Sequence, residues 1–118
     1  MNSLIVSKSY SFALSIIGLY KFLKTEQKEF VLSKQILRSG TAVGALISEA
    51  EHAQSKADFL NKINVALKEA NETKYWLMLL KDSHFIPENI FLSLAKNCTE
   101  LIKILASIVK TTKLNLSK

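Results

Sequence analysis

The sequence predicts an all-α fold, an antiparallel up-down-up-down four-helix bundle, from three observations. Apolar residues recur at intervals of three and four through four long segments, as helices with one buried face require. Three Gly and one Pro in 118 residues leave too few turn residues for an all-β chain, which needs them at roughly every 8 to 12 positions. The links between segments are short, and short links make consecutive helices antiparallel neighbours. The length corresponds to a single domain over residues 1–118. A chain of this size buries about two-thirds of the surface its unfolded form exposes, so it needs neither a disulfide nor a structural metal to fold. Its lone cysteine, Cys98, has no partner for an internal bridge. With 48% hydrophobic and 22% charged residues, intrinsic disorder is excluded.

The first helix is expected from Leu4 to Lys24, with Ile5, Phe12, Ile16, Leu19 and Leu23 on one face. The polar run Thr25 to Glu29 separates it from a second helix over Phe30 to Ala53, whose seam is Ile36, Gly40, Val43, Ile47 and Ala50. Two of the three glycines, Gly40 and Gly44, lie here, each costing about 1 kcal/mol relative to alanine inside a helix. Either another helix backbone approaches closely, as small-xxx-small pairs permit, or the helix breaks near Ser39-Gly40-Thr41. The third helix starts after Ser55 or Lys56 and reaches Lys81, with Phe59, Ile63, Ala66, Ala70, Thr73, Leu77 and Leu80 as its seam. Toward its end, Tyr75 to Leu80 is apolar around the full circumference, which implies a second packing surface through Tyr75, Trp76, Met78 and Leu79. Asp82 to Ile86 turns the chain, and Pro87 suits the first position of a fourth helix reaching Lys113. That helix carries Phe91, Cys98, Leu105 and Thr112 at one heptad position, Leu94, Leu101 and Ile108 at its partner, and Lys96, Lys103 and Lys110 opposite.

Sixteen Lys and Arg against ten Asp and Glu give a net charge of +6. The excess gathers at the chain ends, +3 over residues 1–24 and +3 over 83–118. Clustered positive charge steers and holds polyanions, so RNA or DNA is a reasonable partner class. Lys96, Lys103 and Lys110, with Lys113 beyond, form either a solvated face or a polyanion-binding surface. In an up-down bundle the first and fourth helices are neighbours, so Lys8, Lys21 and Lys24 are expected to extend it.

Catalytic constellations are absent from the pattern. Glu49 and His52 form a Glu-x-x-His pair, but a di-metal bundle needs two such motifs and further glutamates, and the other histidine, His84, falls in a turn. Cys98 sits on a core seam with no histidine near, and a buried thiol without a base is inert. No glycine-rich phosphate loop exists. The chain is therefore read as a non-enzyme with no metal and no cofactor. Ser11 to Tyr20 follows Lys8 as a signal-peptide core would, but it lacks a cleavage site, and Lys21 interrupts it short of a membrane span. An ordinary first helix of a soluble cytoplasmic protein is expected. Arg38, the only arginine, either pairs with Glu69 or Glu72 or stays exposed in water.

Three runs carry a family resemblance: Gln35 to Ala45 with Arg38, Gly40 and Gly44; Glu49 to Phe59; and Ala66 to Leu77 with Glu69 and Glu72. Together they resemble the bacterial four-helix-bundle family named for 23S rRNA intervening sequences, over about residues 10–110. The resemblance implies a small all-α protein that assembles into a homopentamer, and kinship with the basic, nucleic-acid-binding accessory proteins of diversity-generating retroelements. On it the expected function is a homo-oligomeric bundle binding RNA or DNA through Lys21, Lys24, Lys96, Lys103, Lys110 and Lys113, or alternatively a scaffold for another protein.

Overall fold

The computed structural model describes residues 3–118 as four helices, α1 (Ser3–Thr25), α2 (Leu32–Ala50), α3 (Lys56–Asp82) and α4 (Glu88–Leu116). Consecutive helices pack against one another, and α1 closes the ring by meeting α4. Cross-helix contacts run in opposite directions: Ser39 meets Thr73 while Glu49 meets Lys62. The result is an antiparallel up-down-up-down bundle of 51 × 21 × 21 Å.

The expected seams fill the core. Ile5, Phe12, Ile16, Leu19 and Leu23 of α1 are buried, and Ser9 occupies the seven-residue gap between the first two of them. On α2, Ile36, Gly40, Val43, Ile47 and Ala50 are buried together with Ser33 and Ser39. The helix is continuous through Ser39-Gly40-Thr41, so close approach is the reason for its first glycine: a Cβ on Gly40 would lie 2.8 Å from Ile16 Cγ1. Gly44 is less constrained, its nearest neighbour being the Ser9 carbonyl oxygen at 3.4 Å. On α3, Phe59 is half-buried and the rest of its expected seam is fully buried.

Helix ends differ from the sequence expectation where caps decide them. The second helix starts at Leu32 rather than Phe30, because the Glu29 carboxylate accepts hydrogen bonds from the backbone N–H groups of Val31, Leu32 and Ser33 at 3.3, 3.1 and 2.7 Å. It stops at Ala50 rather than Ala53, since Ser55 caps α3 by accepting from the Asp58 N–H at 3.0 Å. Asp58 returns the favour by accepting from Gln54 N–H at 3.2 Å, a reciprocal capping arrangement. At the end of α3, His84 adopts a left-handed φ of 65°, and Phe85 N–H and His84 N–H donate to the Leu80 and Lys81 carbonyls. That is a Schellman ending, with Phe85 folding back over the core. Pro87 is the N-cap of α4 rather than its first helical residue, and α4 continues past Lys113 to Leu116.

The fourth helix also corrects its register. Leu94, Cys98, Leu101 and Leu105 are buried as expected, but the next fully buried residue is Val109, with Ile108 only half-buried. A helix of 3.6 residues per turn drifts about 20° per heptad against a strict seven-residue repeat, so by the end of α4 Ile108 has rotated toward the edge of the buried face and Val109 has the more inward position.

Candidate nucleic-acid interface

The buried stripe of α4 fixes where its lysines point. Lys96, Lys103 and Lys110 stand on the face opposite Leu94, Leu101 and Leu105, exposed, with exposed Lys113 three residues further on. None of the four takes part in an ion pair; the pairs among the described residues are Lys8–Glu100, Lys62–Glu49 and Lys81–Asp82. Glu100, the one acid within the stripe, is bound from α1 by Lys8 Nζ, which donates to it at 2.9 Å. That hydrogen bond, and then the charge of Lys8, lower the Glu100 carboxyl below its ordinary range, with Lys96 and Lys103 adding to the effect. The cationic stripe therefore meets no uncompensated acid between Lys96 and Lys110.

Lys21 and Lys24 are exposed and lie beyond the Lys96 end of the stripe. Antiparallel packing sets Lys8 level with Glu100, and Phe22 shares a groove with Pro87, so the end of α1 lies beside the start of α4. Along the bundle that leaves Lys21 and Lys24 roughly 14 to 18 Å from Lys96 and about 24 to 39 Å from Lys103 and Lys110 at 1.5 Å per residue. Lys24 caps the ring of Tyr20 instead, 5.1 Å from its centroid. Of the α1 lysines, Lys8 is the one that bonds to an α4 side chain among the described residues.

The apolar end of α3 divides in two. Tyr75 and Met78 project into solvent, 56% and 45% exposed. Trp76 and Leu79 are half-buried, and the Trp76 indole Nε1 donates to Glu72 Oε1 at 3.1 Å while its ring meets Tyr75 edge-on at 5.2 Å. Arg38 is exposed and pairs with neither Glu69 nor Glu72. One carboxylate oxygen of Glu69 is buried with no hydrogen-bond partner. Glu49 is exposed, its carboxylate 3.8 Å from Lys62. Sequence reasoning missed the polar core pair Ser39–Thr73, whose hydroxyls hydrogen bond at 2.8 Å; the signal was only that Thr73 sat on a seam.

Cys98 is buried, and its thiol donates to the Ala70 carbonyl at 3.2 Å. Burial pushes the thiol up to about 12, which keeps it protonated and unreactive at neutral pH. Among the described residues, no group of three or more His, Cys, Asp or Glu side chains is placed to hold a metal ion. Between α1 and α4 lies an apolar groove of about 580 Å³, lined by Gly18, Leu19, Phe22, Ile90 and Leu94 among others. Among the described residues, nothing beyond its chain neighbours and its own helix backbone lies within 4 Å of where a Gly18 Cβ would be. At 23 residues α1 is long and apolar enough to cross a membrane by length and composition only, a test that the core helix of a bundle also passes. In the bundle its face of Ile5, Phe12, Ile16, Leu19 and Leu23 is committed to the core.

Comparison with known proteins now bears on this arrangement. No curated protein matches the chain significantly. A crystal structure from Bacteroides thetaiotaomicron VPI-5482, a protein of unknown function from the S23 ribosomal protein family, is 58% identical, covers 90% of this chain and 98% of its own, and superposes with a TM-score of 0.89. The family model for 23S rRNA-intervening sequence proteins matches residues 1–107. Its match ends before Lys110 and Lys113 but takes in all of α1, α2 and α3 and two-thirds of α4. The chain belongs to the 23S rRNA-intervening sequence protein family.

Proposed function

We propose that the protein is a non-enzymatic homo-oligomer of the cytoplasm, pentameric, whose α4 lysines form a basic surface for RNA or DNA. The observation that carries this reading is the stripe of exposed, unpaired Lys96, Lys103 and Lys110, beside which Lys8 compensates Glu100. Lysines that serve only solubility are usually interspersed with acids of the same face. Self-assembly multiplies the effect, since five copies of a +6 chain carry about +30, a field no single bundle generates. Support for assembly comes from Tyr75 and Met78, which project from α3, and from the apolar α1–α4 groove near the same end of the bundle. A knob and a hole on different faces suit a head-to-tail ring of identical copies.

The test is fluorescence anisotropy with a structured rRNA fragment and a DNA duplex of equal length, at low salt and near 150 mM. Reversing Lys96, Lys103 and Lys110 to Glu is expected to abolish binding at the higher salt while leaving helicity unchanged. Unaltered affinity in the triple variant sinks the assignment of this surface. A scaffold for another protein is the second reading, favoured by the same exposed Tyr75 and Met78. Those side chains would then contact a foreign partner, and their loss would leave the oligomer intact.

A further inference from the structure

We infer that the α4 surface takes double-stranded nucleic acid, held by its phosphate backbones alone; the inference rests on the nucleic-acid reading above and narrows it. The geometry is that of a stiff, straight row. Seven-residue spacing separates Lys96, Lys103 and Lys110 by about 10.5 Å each, so three ammonium groups span about 21 Å along a single uninterrupted helix. The row drifts by only about 20° per heptad, so all three address one side. A duplex presents one phosphate per about 1.7 Å of its axis, on the order of twelve along the length of this row, on a scaffold already as stiff as the helix.

A single strand has no such match. Proteins that hold single strands stack successive bases on aromatic side chains, and this face offers none. The only aromatic residue of α4 is Phe91, half-buried and covered by Lys81, whose ammonium lies 4.5 Å from the ring centroid. Arginine, which stacks on bases and reads guanine, is absent from α4, and Arg38 is on α2. The exposed Tyr10 and Tyr75 belong to α1 and α3. Without stacking or base-edge contacts, a flexible strand would have to be straightened along the row with charge attraction as its only return. Ser107, exposed between Lys103 and Lys110, adds a hydroxyl suited to phosphate and sugar oxygens.

The experiment titrates the full-length protein against four labelled probes of one sequence and length, duplex RNA, duplex DNA and the corresponding single strands, by anisotropy across a salt series. The expected result is at least tenfold tighter binding of a duplex than of its single strand near 150 mM salt. With K96A, K103A and K110A combined, the slope of log affinity against log salt should fall by about 2.7, three phosphate contacts at 0.9 each. Comparing the two duplexes distinguishes A-form RNA from DNA as the source of the backbone. Single strands binding as tightly as duplexes overturn the inference and leave the nucleic-acid reading standing. Duplex binding whose salt slope survives the triple substitution overturns the assignment to α4, and failure of all four probes overturns the nucleic-acid reading itself. Alanine favours helix at these solvent-facing sites, so circular dichroism of the variant should match the parent.

Discussion

At the scale of single residues, the two glycines of α2 look alike in the sequence and are opposites in the fold. A methyl group on Gly40 would meet three atoms of the buried Ile16 side chain at 2.8, 2.9 and 3.3 Å, all at or next to its branch point, so a rotamer change cannot clear them. The α1 and α2 backbones would have to separate. The expected cost of Gly40→Ala is about 1 to 3 kcal/mol, the range for overpacking, even after the gain of about 1 kcal/mol in helix propensity. Gly44→Ala meets only ordinary van der Waals distances, 3.4 Å or more, from Ser9, and is expected to be neutral or stabilising by up to about 1 kcal/mol. Urea denaturation of both variants checks the pair, and equal midpoints for the two would refute this account of the α1–α2 contact. Small-xxx-small spacing signalled close approach in the sequence. Which glycine bears it depends on where Ile16 falls on the other helix, and spacing within one segment carries no such information.

At the scale of elements, the seams of α1, α2 and α3 and the middle of α4 were legible because hydrophobic periodicity reports directly on which face is buried. The ends were less so. Glu29 read as part of a polar linker, yet its carboxylate receives three of the first backbone N–H groups of α2 and so decides that the helix begins at Leu32. No Ser, Thr, Asp or Asn stands at the N-cap; that position is Val31, and an upstream glutamate reaching forward has no short sequence signature. Replacing Glu29 by Ala is expected to cost about 1 to 2 kcal/mol, and Glu29→Gln less, because the amide still accepts a hydrogen bond but loses the favourable charge at the helix N-terminus. Thermal melts at low salt should order the three proteins wild type, Glu29→Gln, Glu29→Ala. An unchanged melting temperature for Glu29→Ala would show that water replaces the cap at no cost. The candidate site was legible in part for a related reason. Lys96, Lys103 and Lys110 share one helix, so their alignment follows from heptad spacing. Grouping them with Lys21 and Lys24 required the axial register of α1 against α4, which the Lys8–Glu100 pair and the Phe22–Pro87 groove set in three dimensions.

At the scale of the whole molecule, assembly can be separated from folding through Gly18. This residue sits in mid-helix at the propensity cost of glycine, yet among the described residues nothing beyond its chain neighbours and its own helix backbone comes within 4 Å of its absent Cβ. Unlike Gly40, it has no intramolecular reason to be small. It lines the apolar α1–α4 groove, where a bulky side chain would occupy the space offered to the projecting Tyr75 and Met78 of another copy. Gly18→Leu should therefore fold as well as the parent or better, since leucine is the stronger helix former and meets open space. Its assembly should nevertheless fail. Light scattering coupled to gel filtration is expected to give about 66 kDa for a pentamer of the 13.2 kDa chain and a mass near that of a single chain for Gly18→Leu, with matching circular dichroism. Tyr75→Ser combined with Met78→Ser attacks the other side of the same contact and should lower the mass in the same way, without the groove being touched. If Gly18→Leu stays assembled while the Tyr75 and Met78 variant dissociates, the knob is right and the hole lies elsewhere. If the parent itself runs as a single chain, the reading of a ring fails, and with it the amplification of +6 into a field strong enough to hold a polyanion at physiological salt.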